Sequence, residues 1–305
     1  MDGLVGDVFG RPEGILRTWD GKGLRVDFPY SREKVWQWVL RALGRMKNRS
    51  APGPTGIGYR LIKAVRDTML GRELVDEVVD NLLAGVIPTA LREIRVVFIP
   101  KPVHDLTLTK SWRPLNLINY VGKLGEKVVA DRIQDFGGEL FHHLQFGSVR
   151  VRSVVDVLYR SVVRVRRCLY VGGGVGWWFW DVKGGFQNVV GCEVLRCLDG
   201  VEGTRGVCRW VREFVSPQSF EVSWDGSVQG SGRLVMGVPQ GSLLSPVLFL
   251  VWLAPILIEM EQRIREEVPG IGVEFPSYVD NLHCRLYDER GPCRRMEEVE
   301  GREQM

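Results

Sequence analysis

With 305 residues, 45% hydrophobic and 26% charged, the chain has the size of one large domain or two small ones and the composition of a folded protein, which excludes a disordered or fibrous chain. A net charge of +4 is compatible with nucleic-acid binding but does not require it. The four histidines and six cysteines, none in a C-x-x-C pair, lack the usual spacing of a zinc site.

The first half of the chain predicts helices and two extended segments. Ser31 is a candidate cap for an amphipathic helix that contains Val35–Leu40. Further along, the expected elements are a helix over 61–83 with a break at Gly71, a strand over 95–100, an extended segment from Trp112, and helices over 120–136 and from Val154.

The second half predicts the strands that carry the candidate chemistry. In chain order, the expected elements are a strand at 177–180, a helix over 193–215 interrupted at 200–206, a hairpin of 219–224 and 232–236, a helix over 245–267, and strands 277–278 and 282–287 joined at Asp280-Asn281. The most apolar run, 243–258, contains two prolines and is shorter than the ~20 residues of a membrane span. The N-terminus has no basic segment followed by an apolar one. We therefore expect an intracellular protein of nucleus or cytoplasm, neither secreted nor in a membrane.

Asp181 and Asp280 are the candidate metal ligands. Each lies beside a run of strand-forming residues, and two carboxylates brought together by neighbouring strands can hold the divalent metals of a nucleotidyl transfer. The alternative for each aspartate is a simple cap at a strand end or a hairpin turn.

A glycine- and proline-rich segment, Met236 to Pro246, leads into the long apolar helix. Its small residues would let a base or nucleotide approach the backbone, and the amides at the helix start would suit a phosphate. Lys101 and Arg113 lie on either side of a polar loop, where they could clamp a triphosphate or remain solvated charges. Arg152 begins a basic helical face that also carries Arg160, Arg164 and Arg167.

Several blocks, in this order, resemble successive segments of the reverse transcriptases of non-LTR (LINE-type) retrotransposons. They are Ala51-Pro-Gly-Pro-Thr-Gly56, Phe98-Ile-Pro-Lys-Pro102, Ser111-Trp-Arg-Pro-Leu-Asn116, Gly122-Lys-Leu-Gly-Glu-Lys127, Gln145-Phe-Gly147, Asp181-Val-Lys-Gly-Gly-Phe186, Gly237-Val-Pro-Gln-Gly-Ser242 and Tyr278-Val-Asp280. The resemblance implies an α+β polymerase right-hand fold of fingers and palm, with an antiparallel palm sheet flanked by helices and without a thumb. It also implies a lead-in over 1–49, a fingers-like region over 50–170 and an incomplete palm over 171–305.

The resemblance further implies RNA-templated DNA synthesis with an RNA template, a DNA primer, deoxynucleoside triphosphates and two Mg²⁺ ions. Catalysis would rest on Asp181 and Asp280 as metal ligands. Nucleotide binding would fall to Lys101, Arg113, Phe186, Gln240 and Gly241, with the ring of Phe186 excluding a 2′-hydroxyl or simply packing in the core. Template and primer contacts would fall to Arg152, Gly237, Pro239 and Tyr278.

Departures from the family pattern put activity in question. Asn281 replaces a second aspartate and removes one negative charge, which should weaken metal binding. Leu243 replaces a proline, so the turn is expected to be less fixed. Val149 and Val151 replace arginine and glycine, and the sequence ends 18 residues after Tyr287, before any thumb segment. The alternatives are therefore a catalytically impaired, decayed remnant that binds RNA or RNA/DNA duplex, or a marginally folded fragment.

Overall fold

The computed structural model describes residues 30–102 and 105–288, so expectations for residues 1–29 and 289–305 lie outside it. The chain divides into two units, which we call unit 1 (residues 1–136 and 186–248) and unit 2 (137–185 and 249–305). The expected regions 50–170 and 171–305 therefore each contribute to both units.

Helices and strands occur in short runs along the described residues. The helices are α1 (Arg32–Arg45), α2 (Tyr59–Val65), α3 (Met69–Ala84), α4 (Tyr120–Asp135), α5 (Gly137–Leu140), α6 (Val154–Tyr170), α7 (Gly191–Asp199), α8 (Arg205–Val215) and α9 (Ser245–Glu267). The strands are β1 (Ile94–Pro100), β2 (Trp112–Ile118), β3 (Gly174–Asp181), β4 (Gln218–Trp224), β5 (Ser227–Leu234), β6 (Gly272–Glu274), β7 (Ser277–Tyr278) and β8 (Asn281–Asp288). The predicted α+β class is confirmed.

The N-terminal helices of unit 1 follow local capping rules. Ser31 caps α1 as predicted, because its hydroxyl accepts a hydrogen bond from the Lys34 amide at 3.4 Å. The predicted break at Gly71 is wrong. The helix is interrupted between Val65 and Met69 instead. The Thr68 hydroxyl caps α3 by accepting a hydrogen bond from the Gly71 amide. Gly71 lies inside α3, and this position needs glycine because a Cβ there would be 2.0 Å from the Val65 carbonyl oxygen.

The sheet of unit 1 has the strand order β2-β1-β4-β5. A β4–β5 hairpin forms as predicted, but its second strand begins at Ser227 and not at 232. The β1–β4 pair is parallel, so antiparallel pairing does not extend to both sheets. One face carries the core, which consists of Ile94, Val96, Phe98, Ile118, Phe220, Val222 and Leu234. Residues at the alternating positions, including Ile99 and Arg113, point to the opposite face.

The sheet of unit 2 has the order β3-β8-β6, and β7 also pairs with β8. All its strand pairs are antiparallel, as predicted for the sheet that carries the aspartates. Helix α6, which starts with a capping box of Ser153 and Asp156, packs against β3. Among the described residues, no helix is both long enough and apolar enough to cross a membrane.

Val151 is strained in the loop before α6. Its φ is +58°, a left-handed conformation that β-branched residues avoid, and its side chain is fully exposed. This is the position at which the sequence blocks resemble a family that commonly has glycine. Valine here is therefore expected to cost stability relative to the glycine that the resemblance implies.

We expect Val151→Gly to raise the free energy of unfolding by about 1 kcal/mol, because it relieves left-handed strain and removes no packing. Urea unfolding measures the change. Val155→Gly, at an exposed position in the first turn of α6, is the matched control and should instead destabilise by about 0.5 kcal/mol. Equal effects of the two substitutions would contradict the assignment of strain to Val151.

Candidate active site

Two strands of unit 2 bring Asp181 and Asp280 to one end of the same sheet. In the antiparallel β3–β8 ladder Asp181, the last residue of β3, is directly opposite Asn281, the first residue of β8. The next amide along, that of Val182, donates a hydrogen bond to the Asp280 carbonyl at 3.1 Å. The backbones of Asp181 and Asp280 therefore lie at neighbouring positions of one sheet end, and the convergence of their carboxylates on a metal stays a prediction.

Asp280 lies in a tight turn between β7 and β8. Tyr278 pairs with Asn281, which leaves Val279 and Asp280 as the turn residues, one position earlier than the predicted junction at Asp280-Asn281. Val279 has a φ of +57°, a conformation that costs a β-branched residue ~1–3 kcal/mol. Such strain persists only when the surroundings impose it, so the contacts around this turn are of interest.

The Gln145-Phe-Gly147 block holds the turn from one side. The Phe146 amide donates to the Ser277 carbonyl at 2.9 Å, and the Ser277 amide donates to the Leu144 carbonyl at 2.9 Å. A Cβ on Gly147 would be 2.6 Å from Cγ2 of Val279 and 2.7 Å from its amide nitrogen. Glycine at 147 therefore allows the strained turn to pack against this segment.

Gln145 locks that segment in place, a role that the motif match alone did not reveal. The side chain is fully buried, and its Nε2 donates to the Leu250 carbonyl at 3.1 Å. Its Oε1 accepts from the His142 amide at 2.8 Å. A buried amide side chain with both ends bonded fixes the backbone on which the turn rests.

Gly185 closes the opposite side of the turn within unit 2. Its amide donates to the Val182 carbonyl at 3.1 Å, in the tight turn that follows β3. A Cβ there would be 3.0 Å from Phe249 and 3.6 Å from Cβ of Asp280. Gly185 thus lets the Phe249 ring pack closely against this turn, whereas the distance to Asp280 would be an ordinary contact.

The donor set at this sheet end suits a hard divalent cation. Asp181 and Asn281 are exposed and Asp280 is half-buried. Within residues 30–102 and 105–288, no ion pair neutralises either carboxylate. In the described part of the chain, Nδ2 of Asn281 donates a hydrogen bond to Oδ1 of Asp280 at 3.4 Å. Carboxylate oxygens open to solvent fit Mg²⁺, and this sheet end offers two carboxylates where the sequence resemblance implies three.

A second cluster in unit 2 has ligand-type atoms but satisfied partners. His142, His143 and Glu261 place one such atom each within 4.8 Å of the others. Nε2 of His142 is 3.2 Å from the Glu261 carboxylate, while its Nδ1 accepts from the Leu144 amide. Glu261 also accepts from Arg265 at 3.0 Å. These contacts explain the cluster as a hydrogen-bonded network.

Unit 1 gathers the residues predicted to bind a nucleotide. Arg113 on β2 pairs with Ile99 on β1, and the Lys101 amide donates to the Ser111 carbonyl at 2.8 Å. Arg113 is exposed and Lys101 half-buried at this end of the ladder. Two cations thus flank the loop, as the sequence predicted.

The Gly237–Ser242 segment packs against the same strand. The Asn116 amide donates to the Gln240 carbonyl at 2.7 Å. A Cβ on Gly241, whose φ is +120°, would be 2.6 Å from the Asn116 carbonyl oxygen. Gln240 and Gly241 therefore lie beside β2 at Leu115 and Asn116, two and three residues after Arg113.

Phe186 is tied to the start of this segment. The Val238 amide donates to the Phe186 carbonyl at 2.8 Å, and Pro239 is buried next to it. Gly237 has a φ of +80°, and a Cβ there would be 2.5 Å from the Gln187 carbonyl oxygen. Unit 1 therefore brings Phe186, Gly237, Gln240, Gly241 and β2 together through the backbone.

The prediction that free amides at the start of α9 would bind a phosphate is wrong. The Leu243 amide donates to Oε2 of Glu126 at 2.8 Å, and the Leu244 and Ser245 amides donate to the Ser242 hydroxyl at 3.0 and 3.2 Å. An internal carboxylate thus takes the place expected for an anionic ligand. Glu126 belongs to one of the sequence blocks, but nothing in its local pattern indicated this contact.

The basic face of α6 is partly structural. Arg152, predicted to contact template or primer, donates from Nη1 to the His142 and Gln145 carbonyls at 3.0 and 2.7 Å. Arg160 lies over the Phe146 ring, and Arg164 lies over the Tyr287 ring. Tyr278, a predicted primer contact, is 42% exposed beside the turn. A nucleic-acid role for Arg152 stays a prediction.

We expect Gly147→Ala to destabilise the protein by about 1–3 kcal/mol, because the added methyl would overlap both the side chain and the backbone nitrogen of Val279. Denaturant unfolding gives the magnitude. The control is Gly138→Ala in α5, where a Cβ has no heavy atom within 4 Å. A Gly147→Ala protein as stable as the control would show that the turn does not press on this residue.

Comparison with known proteins gives a consistent family. The family model described as reverse transcriptase (RNA-dependent DNA polymerase) matches residues 99–289. The chain is 25% identical over 218 residues to the RNA-directed DNA polymerase from mobile element jockey of Drosophila funebris. This alignment covers 71% of this chain and 24% of the relative. It is 23% identical over 267 residues to the retrovirus-related Pol polyprotein from type-2 retrotransposable element R2DM of Drosophila melanogaster, covering 84% and 24%.

A further relative is the transposon TX1 uncharacterized 149 kDa protein of Xenopus laevis, 23% identical over 283 residues, covering 89% of this chain and 21% of that protein. The chain thus spans about a quarter of the length of these curated relatives. Among solved structures, apo telomerase from Candida tropicalis truncated from the C-terminal domain aligns with a TM-score of 0.46 and 13% identity, over 66% of this chain and 44% of that one.

Proposed function

Because the chain belongs to the reverse transcriptase (RNA-dependent DNA polymerase) family, we propose that it carries the nucleotidyl-transfer site for RNA-templated DNA synthesis in a retrotransposon. The observation that supports this most directly is the β3–β8 register, which sets Asp181 opposite Asn281 with Asp280 in the adjoining turn. An RNA template, a DNA primer and deoxynucleoside triphosphates are the corresponding partners.

Asp181 and Asp280 would hold the divalent metal, with Mg²⁺ as the expected ion because the donors are oxygens. Bound there, Mg²⁺ would stabilise negative charge on the attacking and leaving oxygens of the phosphoryl group. The strained Val279 turn and its support from Gly147 and Gln145 hold the Asp280 backbone beside the end of β3, from which its carboxylate would reach the metal. Preorganisation of this kind avoids the cost of moving a charged side chain during the reaction.

The residues gathered in unit 1 would bind the incoming nucleotide. Lys101 and Arg113 would neutralise its triphosphate, since cations on both sides of a loop suit a polyanion. Gln240 and Gly241 would contact the nucleotide through a turn that the Asn116 bond holds against β2. Phe186 would exclude a 2′-hydroxyl and so favour deoxynucleotides, while Arg152, Gly237, Pro239 and Tyr278 would contact template or primer.

One observation supports a second function, a catalytically impaired domain that retains nucleic-acid binding. Asn281 stands opposite Asp181 and donates to Asp280, so it reduces the negative charge and engages a carboxylate oxygen that metal would need. A protein with this site would bind RNA or RNA/DNA duplex through phosphate contacts, and the affinity would fall steeply with salt.

Primer extension on an RNA template with Mg²⁺ separates the two functions. We expect weak extension by the natural chain and an increase of at least about tenfold in Asn281→Asp, because a third carboxylate strengthens metal binding. Asp181→Ala should abolish extension in both backgrounds. Asp67→Ala, an exposed aspartate paired with Arg66, is the control and should leave the rate unchanged.

Extension that survives Asp181→Ala would contradict the proposed catalytic role of this carboxylate. Absence of extension in both the natural chain and Asn281→Asp, together with salt-sensitive binding to an RNA/DNA duplex, would favour the impaired binding domain. Absence of both extension and binding would contradict both functions.

A further inference from the structure

We propose that Glu126 is a positioning residue that fixes the Gln240–Gly241 turn through a buried anchor at the start of α9. The contacts lie entirely within unit 1 and join α4 to the segment that precedes α9. Their existence is independent of the reaction, but their consequence for nucleotide binding rests on the proposed function. The inference concerns a side chain to which no role was given from its sequence.

Glu126 is a buried carboxylate that accepts hydrogen bonds from the segment before α9. Its exposed fraction is 2%, and its Oε2 accepts from the Ser242 hydroxyl at 2.7 Å and from the Leu243 amide at 2.8 Å. Burial raises the pKa of Glu126, and these two hydrogen bonds oppose that rise. A buried acid without such donors would be strongly unfavourable, so the segment and the carboxylate stabilise each other.

The position of Glu126 also matches the charge at the end of a helix. Helix α9 has 23 residues, and the partial positive charge at its N-terminus favours a nearby anion. Lys123, one turn earlier on α4, adds a favourable interaction with the carboxylate. Glu126 therefore satisfies, from inside the protein, the anion preference that a helix start would otherwise direct to a ligand.

Ser242 transmits this anchor to the turn. Its hydroxyl donates to Glu126 and accepts from the Leu244 and Ser245 amides, while its own amide donates to the Pro239 carbonyl at 3.2 Å. On the other side of the turn, the Asn116 amide holds the Gln240 carbonyl. Hydrogen bonds therefore hold the Gln240–Gly241 turn on both sides, to β2 through Asn116 and to Glu126 through Ser242.

Leu243 supplies a donor that the family residue cannot. The sequence blocks resemble a family that usually has proline here, and proline has no amide hydrogen. The leucine was expected to loosen the turn. Its amide instead gives Glu126 a second bond, so this chain replaces a rigid ring with a charge-assisted hydrogen bond.

Backbone hydrogen exchange of residues 240–246 tests the anchor without requiring activity. We expect Glu126→Gln to speed exchange in this segment by about tenfold or more, because a neutral amide accepts more weakly than a carboxylate. Leu243→Pro, which removes one donor and keeps the charge, should speed exchange at Leu244. In the double variant the two effects should be less than additive, because both act on one bond.

The matched control is Glu261→Gln in unit 2. Glu261 is also buried and also accepts a backbone amide bond, from Phe275 at 3.3 Å. Its substitution should lower stability without changing exchange in 240–246. Equilibrium binding of the fluorescent nucleotide mant-dGTP with Mg²⁺ is the second readout, and Glu126→Gln should weaken it by about fivefold or more while Glu261→Gln does not.

Faster exchange and weaker mant-dGTP binding in Glu126→Gln alone would support the proposal. Unchanged exchange in both Glu126→Gln and Leu243→Pro would overturn it. Faster exchange with unchanged mant-dGTP affinity would also overturn it, since Glu126 would then be only a structural residue. If the natural chain and Asn281→Asp do not bind mant-dGTP, the proposed function fails, and the exchange data alone decide whether the anchor exists.

Discussion

The register of the β3–β8 ladder is the constraint on which the candidate active site depends. A shift by one residue would turn every side chain of β8 to the other face and would separate Asp181 from Asn281. The tight turn fixes this register, because only two residues separate Tyr278 from Asn281. Val279 adopts a left-handed conformation there, and Gly147 and Gln145 supply the close packing that maintains it. Strain in the turn and glycine in the supporting segment are therefore two parts of one arrangement.

In unit 1, too, close packing at glycines and buried hydrogen bonds hold a loop that carries predicted site residues. Its Gly237–Ser242 segment is held by backbone bonds to Phe186 and Asn116 and by the buried Glu126 carboxylate. Glycines 237 and 241 stand where a Cβ would strike another backbone, so the segment packs closely against its neighbours. Main-chain contacts therefore hold Phe186 beside Val238 and Gln240 beside β2, the strand that carries Arg113.

The sequence predicted the family and the α+β class, because motifs and strand patterns can be recognised from the residues alone; it also placed Asp181 and Asp280 on neighbouring strands, which pair in the structure, while a shared metal site stays a prediction. The family match over residues 99–289 confirms the first of these. The sequence did not predict the parallel β1–β4 pair, because periodicity carries no information on which distant strands pair. It misplaced the break near Gly71, where a close approach to Val65 requires glycine inside a helix. The occupied amides at the start of α9 were missed because Glu126 comes from a distant part of the chain.

Divalent-cation binding is the most direct test of the central claim that Asp181 and Asp280 form one site. Mn²⁺, titrated into the protein and followed by electron paramagnetic resonance, reports free and bound ion without requiring catalysis. The account predicts a weak site that is lost in both Asp181→Ala and Asp280→Ala and is strengthened at least about tenfold in Asn281→Asp. Mn²⁺ affinity that is unchanged in either alanine variant would contradict it.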